Sequence, residues 1–188
     1  MQKINRNRLI NAVLYFAEST EYCGKIKLFK LLYLMDFEHF RMTGKSITGA
    51  EYSAWRMGPV PTVLYDQWDE PHGDFAEAVE IVYERQIDHV RQTVRPKRAF
   101  DDMEFTPRQL RVMNALSEKY KFVQSAAMID VTHAENGAWT KVWNEGAGRS
   151  KRIPYELSIS EDTENKDDIL MIREFDLMRA KAVESLGV

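Results

Sequence analysis

A helix that is apolar most of the way round has no face left for solvent, so it belongs at the centre of a fold. The segment KIKLFKLLYLMDFEHFRMTG, Lys25 to Gly44, reads that way. Ile26, Phe29, Leu32 and Tyr33 share one face, and Leu28, Leu31, Leu34 and Met35 widen it. Lys27, Lys30, Asp36, Glu38 and His39 are left to mark a narrow wet side. Gly44 is placed to end the helix, because glycine adopts the left-handed conformation without steric penalty. Glu51 to Arg56, EYSAWR, then suits a pleated strand. Met57 to Pro61, with two prolines and a glycine, reads as a sharp rigid turn.

Whatever surrounds this unit is modest in size. A chain of 188 residues makes one domain, or one domain with an appendage, and buries a substantial core. No apolar run approaches the roughly 18–20 residues that a membrane span needs. The first residues, MQKINRNRL, lack the apolar core and cleavage site of a secretory signal. The single Cys23 has no internal disulfide partner, which fits a reducing cytoplasm. A net charge of −3 argues against general affinity for nucleic acid.

Before the central helix, residues 6–19 form an amphipathic helix with Leu9, Val13, Phe16 and Ala17 inward. After Pro61 a short helix carries Val63, Leu64, Tyr65 and Trp68 onto the core. Residues 74–98 satisfy two periods. Asp74 with Glu77 resembles a helix capping box, while Val79, Ile81, Tyr83, then Val90, Gln92 and Val94, alternate as strands do. Thr106-Pro107 opens a further helix as N-cap and first helical residue, and two shorter helices follow near 125–133 and 138–144. NEGAGRSKR, 144–152, reads as a flexible loop, and SEDTENKDD, 160–168, as a solvated acidic linker. A last helix near 167–186 carries a loose stripe of Ile169, Ile172, Leu177, Met178 and Val183.

The stretch KLFKLLYLMDFEHFRMTGKSITGAEYSAWRMGPVP resembles the signature of the Panacea, or SocA-like, antitoxin domain of bacteria and prophages. FDDMEFTPRQL at 100–110, VTHAENGAW at 131–139 and IPYEL at 153–157 resemble further motifs of that family in the same order. The resemblance spans roughly residues 5–160 and implies a domain over 1–160, with 161–188 appended as acidic linker and helix. It also favours a hairpin within 78–97. Joined to the strand near 50–56, that hairpin makes a small antiparallel sheet. The expected fold is therefore α+β, a mostly helical single domain with that sheet.

Residue types that carry chemistry are sparse. Asp36 and His39 share a helix face, and His133 stands near Glu135 and Asn136, but neither group completes a metal-ligand or acid–base constellation. Cys23 lacks a neighbouring base, and nucleotide-cradle or hydrolase-elbow patterns are missing. The basic loop 146–152 has no preceding strand to make it a phosphate cradle. The expectation is thus no catalytic residue, no metal and no cofactor. The resemblance implies an antitoxin-like protein that neutralises a cognate toxin by direct binding, with some members acting as adaptors to a protease. Partner contacts are expected at Lys27, Lys30, Tyr52, Arg56, Arg91 and Arg95, with Tyr52 and Arg56 exposed and Trp55 buried by strand alternation. Arg91 and Arg95 share their face with His89 and Thr93. The competing readings are an enzyme around His39 or His133, and a DNA-binding regulator with a basic face.

Overall fold

The computed structural model describes residues 2–86, 90–134 and 137–185. Helix α1, Arg6–Ser19, begins where the Asn5 side chain accepts from the Arg8 amide, and it buries Leu9, Ile10, Val13, Leu14 and Phe16. Helix α2, Lys25–Thr43, crosses the middle and ends at Gly44, whose φ of 72° lets its amide close on the Phe40 carbonyl. Strands β1, Tyr52–Trp55, and β2, Gly58–Pro61, make a hairpin in register Tyr52↔Pro61 to Trp55↔Gly58. Two short helices, α3 (Thr62–Trp68) and α4 (Gly73–Ala78), lead to a second hairpin. Its strands are β3, Val79–Arg85, and β4, Val90–Pro96, paired from Val79↔Pro96 to Arg85↔Val90.

Helix α5, Pro107–Tyr120, opens on a full capping box between Thr106 and Gln109. Helices α6, Ser125–Ala134, and α7, Ala138–Trp143, follow, and α8, Lys166–Ser185, closes the described chain. The core is continuous around α2, whose Leu28, Leu31, Leu32, Tyr33 and Met35 have no exposed surface. Among the described residues no helix is long and apolar enough to cross a membrane.

The mostly helical α+β class is as expected, and several details differ. Of the two readings of 74–98 the hairpin holds; the helix before it is short, Gly73–Ala78, and is capped at His72 without the Asp74–Glu77 capping box. That hairpin does not join β1; the described residues hold two separate antiparallel pairs. The outer edge of β1 is occupied instead by residues 150–153. The Ser150 amide donates to the Ala54 carbonyl at 2.8 Å, and the Ile153 amide to the Tyr52 carbonyl at 2.7 Å. The supposedly flexible loop is therefore the third edge of the hairpin. The proline segment 58–61 is a strand, and the turn is confined to Arg56 and Met57. Two prolines are tolerated there because their ladder positions lie at a sheet edge.

Candidate functional site

The motif residues of α2 turn out to be buried joints. Lys30 is 2% exposed, and its Nζ donates to the Pro59 carbonyl at 2.9 Å. Gly58 makes that approach possible. Its φ is 101°, and a Cβ there would lie 2.7 Å from Lys30 Nζ and 3.0 Å from Thr132 Oγ1. Lysine and glycine are a matched pair across two motifs. Burial pulls the Lys30 ammonium down to about 7. Lys27 is fully buried too, but its Nζ donates to two carbonyls, Glu21 at 2.7 Å and Lys121 at 3.0 Å. It ties the α1–α2 connection to the end of α5.

Asp36 is the second joint. The Thr48 amide donates to it at 2.8 Å, the Tyr52 hydroxyl at 2.8 Å and the Tyr155 hydroxyl at 3.4 Å, and the Thr48 hydroxyl also donates to it. Burial raises its pKa to about 6, against the pull of these donors. Tyr33, Phe37, Tyr52 and Tyr155 pack ring against ring around it. A third joint links the remaining motifs. Trp139 Nε1 donates to the Trp55 carbonyl at 3.0 Å, and the His133 ring stacks on Trp139 at 3.8 Å and 3°. Burial, then the charge of Lys30, holds the His133 imidazole below its ordinary pKa.

These contacts settle where the expected residues lie. Lys27, Lys30, Asp36 and His39 are buried and Glu38 is partly buried, so the wet side of α2 expected from their polarity is almost wholly covered. Carbonyls and hydroxyls from distant segments take the place of water. Alternation along β1 holds, but the inward face is the opposite one. Tyr52 is 1% exposed because its hydroxyl serves Asp36, while Trp55 is only partly buried. Arg56 is exposed at the turn, as expected. Arg91 is half-buried over the Tyr22 ring at 5.8 Å, and exposed Arg95 pairs with Glu80 at 3.0 Å. His89 lies outside the described residues.

The chemical candidates have structural tasks. His39 Nδ1 lies 2.6 Å from the Lys45 carbonyl, where it finishes the end of α2. Cys23 is buried, and burial pushes its thiol up, away from nucleophilic thiolate character. Glu135 and Asn136, read beside His133, lie outside the described residues. Among the described residues no three His, Cys, Asp or Glu side chains gather as a metal site does.

Two surface features bear on function. A half-open pocket of about 450 Å³ lies between the start of α2, the first hairpin and the 149–150 turn. Its charged rim is Lys25, Lys30, Arg56 and Arg149; its walls include Phe29, Trp55 and Tyr65. Sequence reasoning missed Lys25 and Tyr65 and passed over Arg149, because only the fold brings these segments together. The other feature is α8. Ile169 is buried, Arg173 pairs with Glu156 at 2.7 Å and Asp176 with Lys45 at 3.5 Å, so one helix face is docked. Steps of about 100° per residue put Met171, Phe175 and Met178 on the opposite face. They are 64%, 67% and 59% exposed. The stripe expected to pack (Ile172, Leu177, Met178 and Val183 beside Ile169) is likewise exposed apart from Ile169.

Comparison with known proteins adds one finding. Residues 28–140 match the model of a family described as antitoxin SocA-like, Panacea domain. The N-terminal part of the resemblance and the IPYEL segment lie outside that match. No curated protein and no solved structure matches the chain.

Proposed function

The chain belongs to the SocA-like antitoxin family with the Panacea domain, and from that premise we propose that it neutralises a cognate toxin in the cytoplasm by direct protein–protein binding. The observation that supports a binding role is the uncovered face of α8. A helix with apolar residues on opposite sides, only one of them covered, is a helix awaiting a second surface. Met171 and Met178 are flexible and polarisable enough to fit an irregular partner, and Phe175 supplies an aromatic anchor. Each such side chain gains roughly 1.5–3 kcal/mol on full burial. Arg56 at the hairpin tip, with Arg91 and Arg95, offers polar contacts nearer the motif unit. Toward the toxin, Lys27, Lys30 and Tyr52 act by holding that unit together.

Co-expression with the product of the open reading frame next to this one tests the reading, with growth rescue and co-purification as readouts. Wild type restores growth. The triple variant Met171→Asp, Phe175→Asp, Met178→Asp loses both rescue and co-purification while melting as wild type does. Failure of the wild type to rescue sinks the antitoxin reading; full rescue by the triple variant moves the surface away from α8. Rescue that persists in a host lacking its ATP-dependent proteases separates direct blocking from hand-over to a protease.

A further inference from the structure

We propose that the pocket at the start of α2 binds a small organic anion, an aromatic or apolar body that carries a carboxylate or a phosphate. The charge of the lining is one-sided. Lys25, Lys30, Arg56 and Arg149 all border it, and no acidic side chain among the described residues does. Asp69 stands to one side, 3.7 Å from Lys25 and itself largely exposed. The walls select for a ring. Trp55 and Tyr65 meet edge to face at 4.4 Å, and the Lys25 ammonium lies 4.7 Å from the centre of the Tyr65 ring. Such a corner offers both a face and an edge to an incoming aromatic group. A volume of about 450 Å³ falls within the range of small-molecule sites.

The two buried lysines of α2 distinguish a ligand group from a structural one. Lys27 spends its ammonium on two backbone carbonyls and lines no pocket described here. Lys30 has one hydrogen-bond acceptor among the described residues, the Pro59 carbonyl, although an ammonium carries three donors. It borders the pocket with its remaining capacity unused. An anion in the pocket provides the missing counter-charge. Because burial holds free Lys30 near neutrality in its titration, binding there draws in a proton around pH 7–8.

Calorimetry on the full chain, with four defined probes, tests this independently of any toxin. The ring-borne anions are 1-naphthyl phosphate and 1-naphthylacetate; 1-naphthylmethanol is the ring without charge, and inorganic phosphate the charge without ring. At least one ring-borne anion binds with Kd below about 1 mM, and about tenfold or more tighter than either half-probe. Arg149→Glu weakens it by about tenfold or more. Lys30→Met does the same and abolishes the proton uptake, read from buffers of differing ionisation enthalpy. Should Lys30→Met fail to fold, Arg149→Glu on the surface decides the matter. Absence of binding by both anions, equal binding of the neutral alcohol, or binding unchanged in Arg149→Glu overturns the proposal.

Discussion

Helices α2 and α8 are nearly equal in length, 19 and 20 residues, and they distribute charge and apolar surface in opposite ways. In α2 the charged groups Lys27, Lys30 and Asp36 have 2% exposure or less. In α8 the largest apolar side chains stand in solvent at 59–67% exposure. The first arrangement is stable because each buried charge meets oriented donors or acceptors from other segments; an unpaired one is expensive. The second is an unfinished burial. A helical pattern therefore says which residues share a face, and it says nothing of what will cover that face.

Breaking the interior gives the largest effect. Leu32 is fully buried in the hydrophobic core, so Leu32→Asp costs about 4 kcal/mol or more and abolishes the cooperative melt. A melt like that of wild type would remove α2 from the centre of the fold. The buried lysine gives the next effect, and its sign is set by protonation. Unfolded, Lys30 titrates near 10.4; folded, it titrates near 7. Between these values the unfolded chain holds the extra proton, so stability rises with pH, by roughly 4–5 kcal/mol across the window. Urea titrations at stepped pH show this arm in wild type, and Lys30→Met flattens it.

Asp36 gives an arm of the opposite slope. Its folded value, about 6, exceeds its unfolded value of about 3.9. The contribution is full below about pH 4 and is lost as pH rises to about 6, a fall of about 3 kcal/mol. Asp36→Asn removes that arm alone. Together the two groups place a trough of stability near pH 6–7, and a chain whose stability is flat from pH 4 to 10 refutes both assignments. The smallest effect is expected at α8. The triple aspartate variant at 171, 175 and 178 shifts stability by no more than about 0.5 kcal/mol, and it lowers binding of an apolar dye. A large loss of stability would mean that this face is already covered in the free protein.

Local signals in the sequence are legible because their causes are local. Gly44 ends α2 and Thr106 with Pro107 opens α5, whereas the alternation from Val79 to Val94 competes with a helical period and the family resemblance favours the hairpin that forms. The polar residues of α2 were misread for an equally physical reason. At about 100° per residue Lys27 and Asp36 stand on opposite sides of α2, so period never gathers them into one wet side, and only their polarity suggested water. Their partners sit at Lys121, Thr48, Tyr52 and Tyr155, and no periodicity carries that information. The same ignorance reversed Tyr52 and Trp55: alternation separates the two faces, and only the hidden carboxylate decides which one turns inward. The pocket was illegible for the same cause, since Lys25, Tyr65 and Arg149 meet only after folding. Membership of the antitoxin family was legible because its motifs are the joints themselves.

Tyr155 bears on how this chain emerges during synthesis. Its hydroxyl reaches Asp36, made 119 residues earlier, and its ring lies 4.5 Å from Phe37 and 5.3 Å from Phe40. At about 5–20 residues per second, roughly 6–24 s pass between the two ends of that contact. Throughout that interval the nascent chain lacks the Tyr155 share of this cover, one hydroxyl to Asp36 and the ring over Phe37 and Phe40, although Thr48 and Tyr52 are already made. A chaperone or protease at the ribosome meets the surface so left open, and the finished molecule no longer has it.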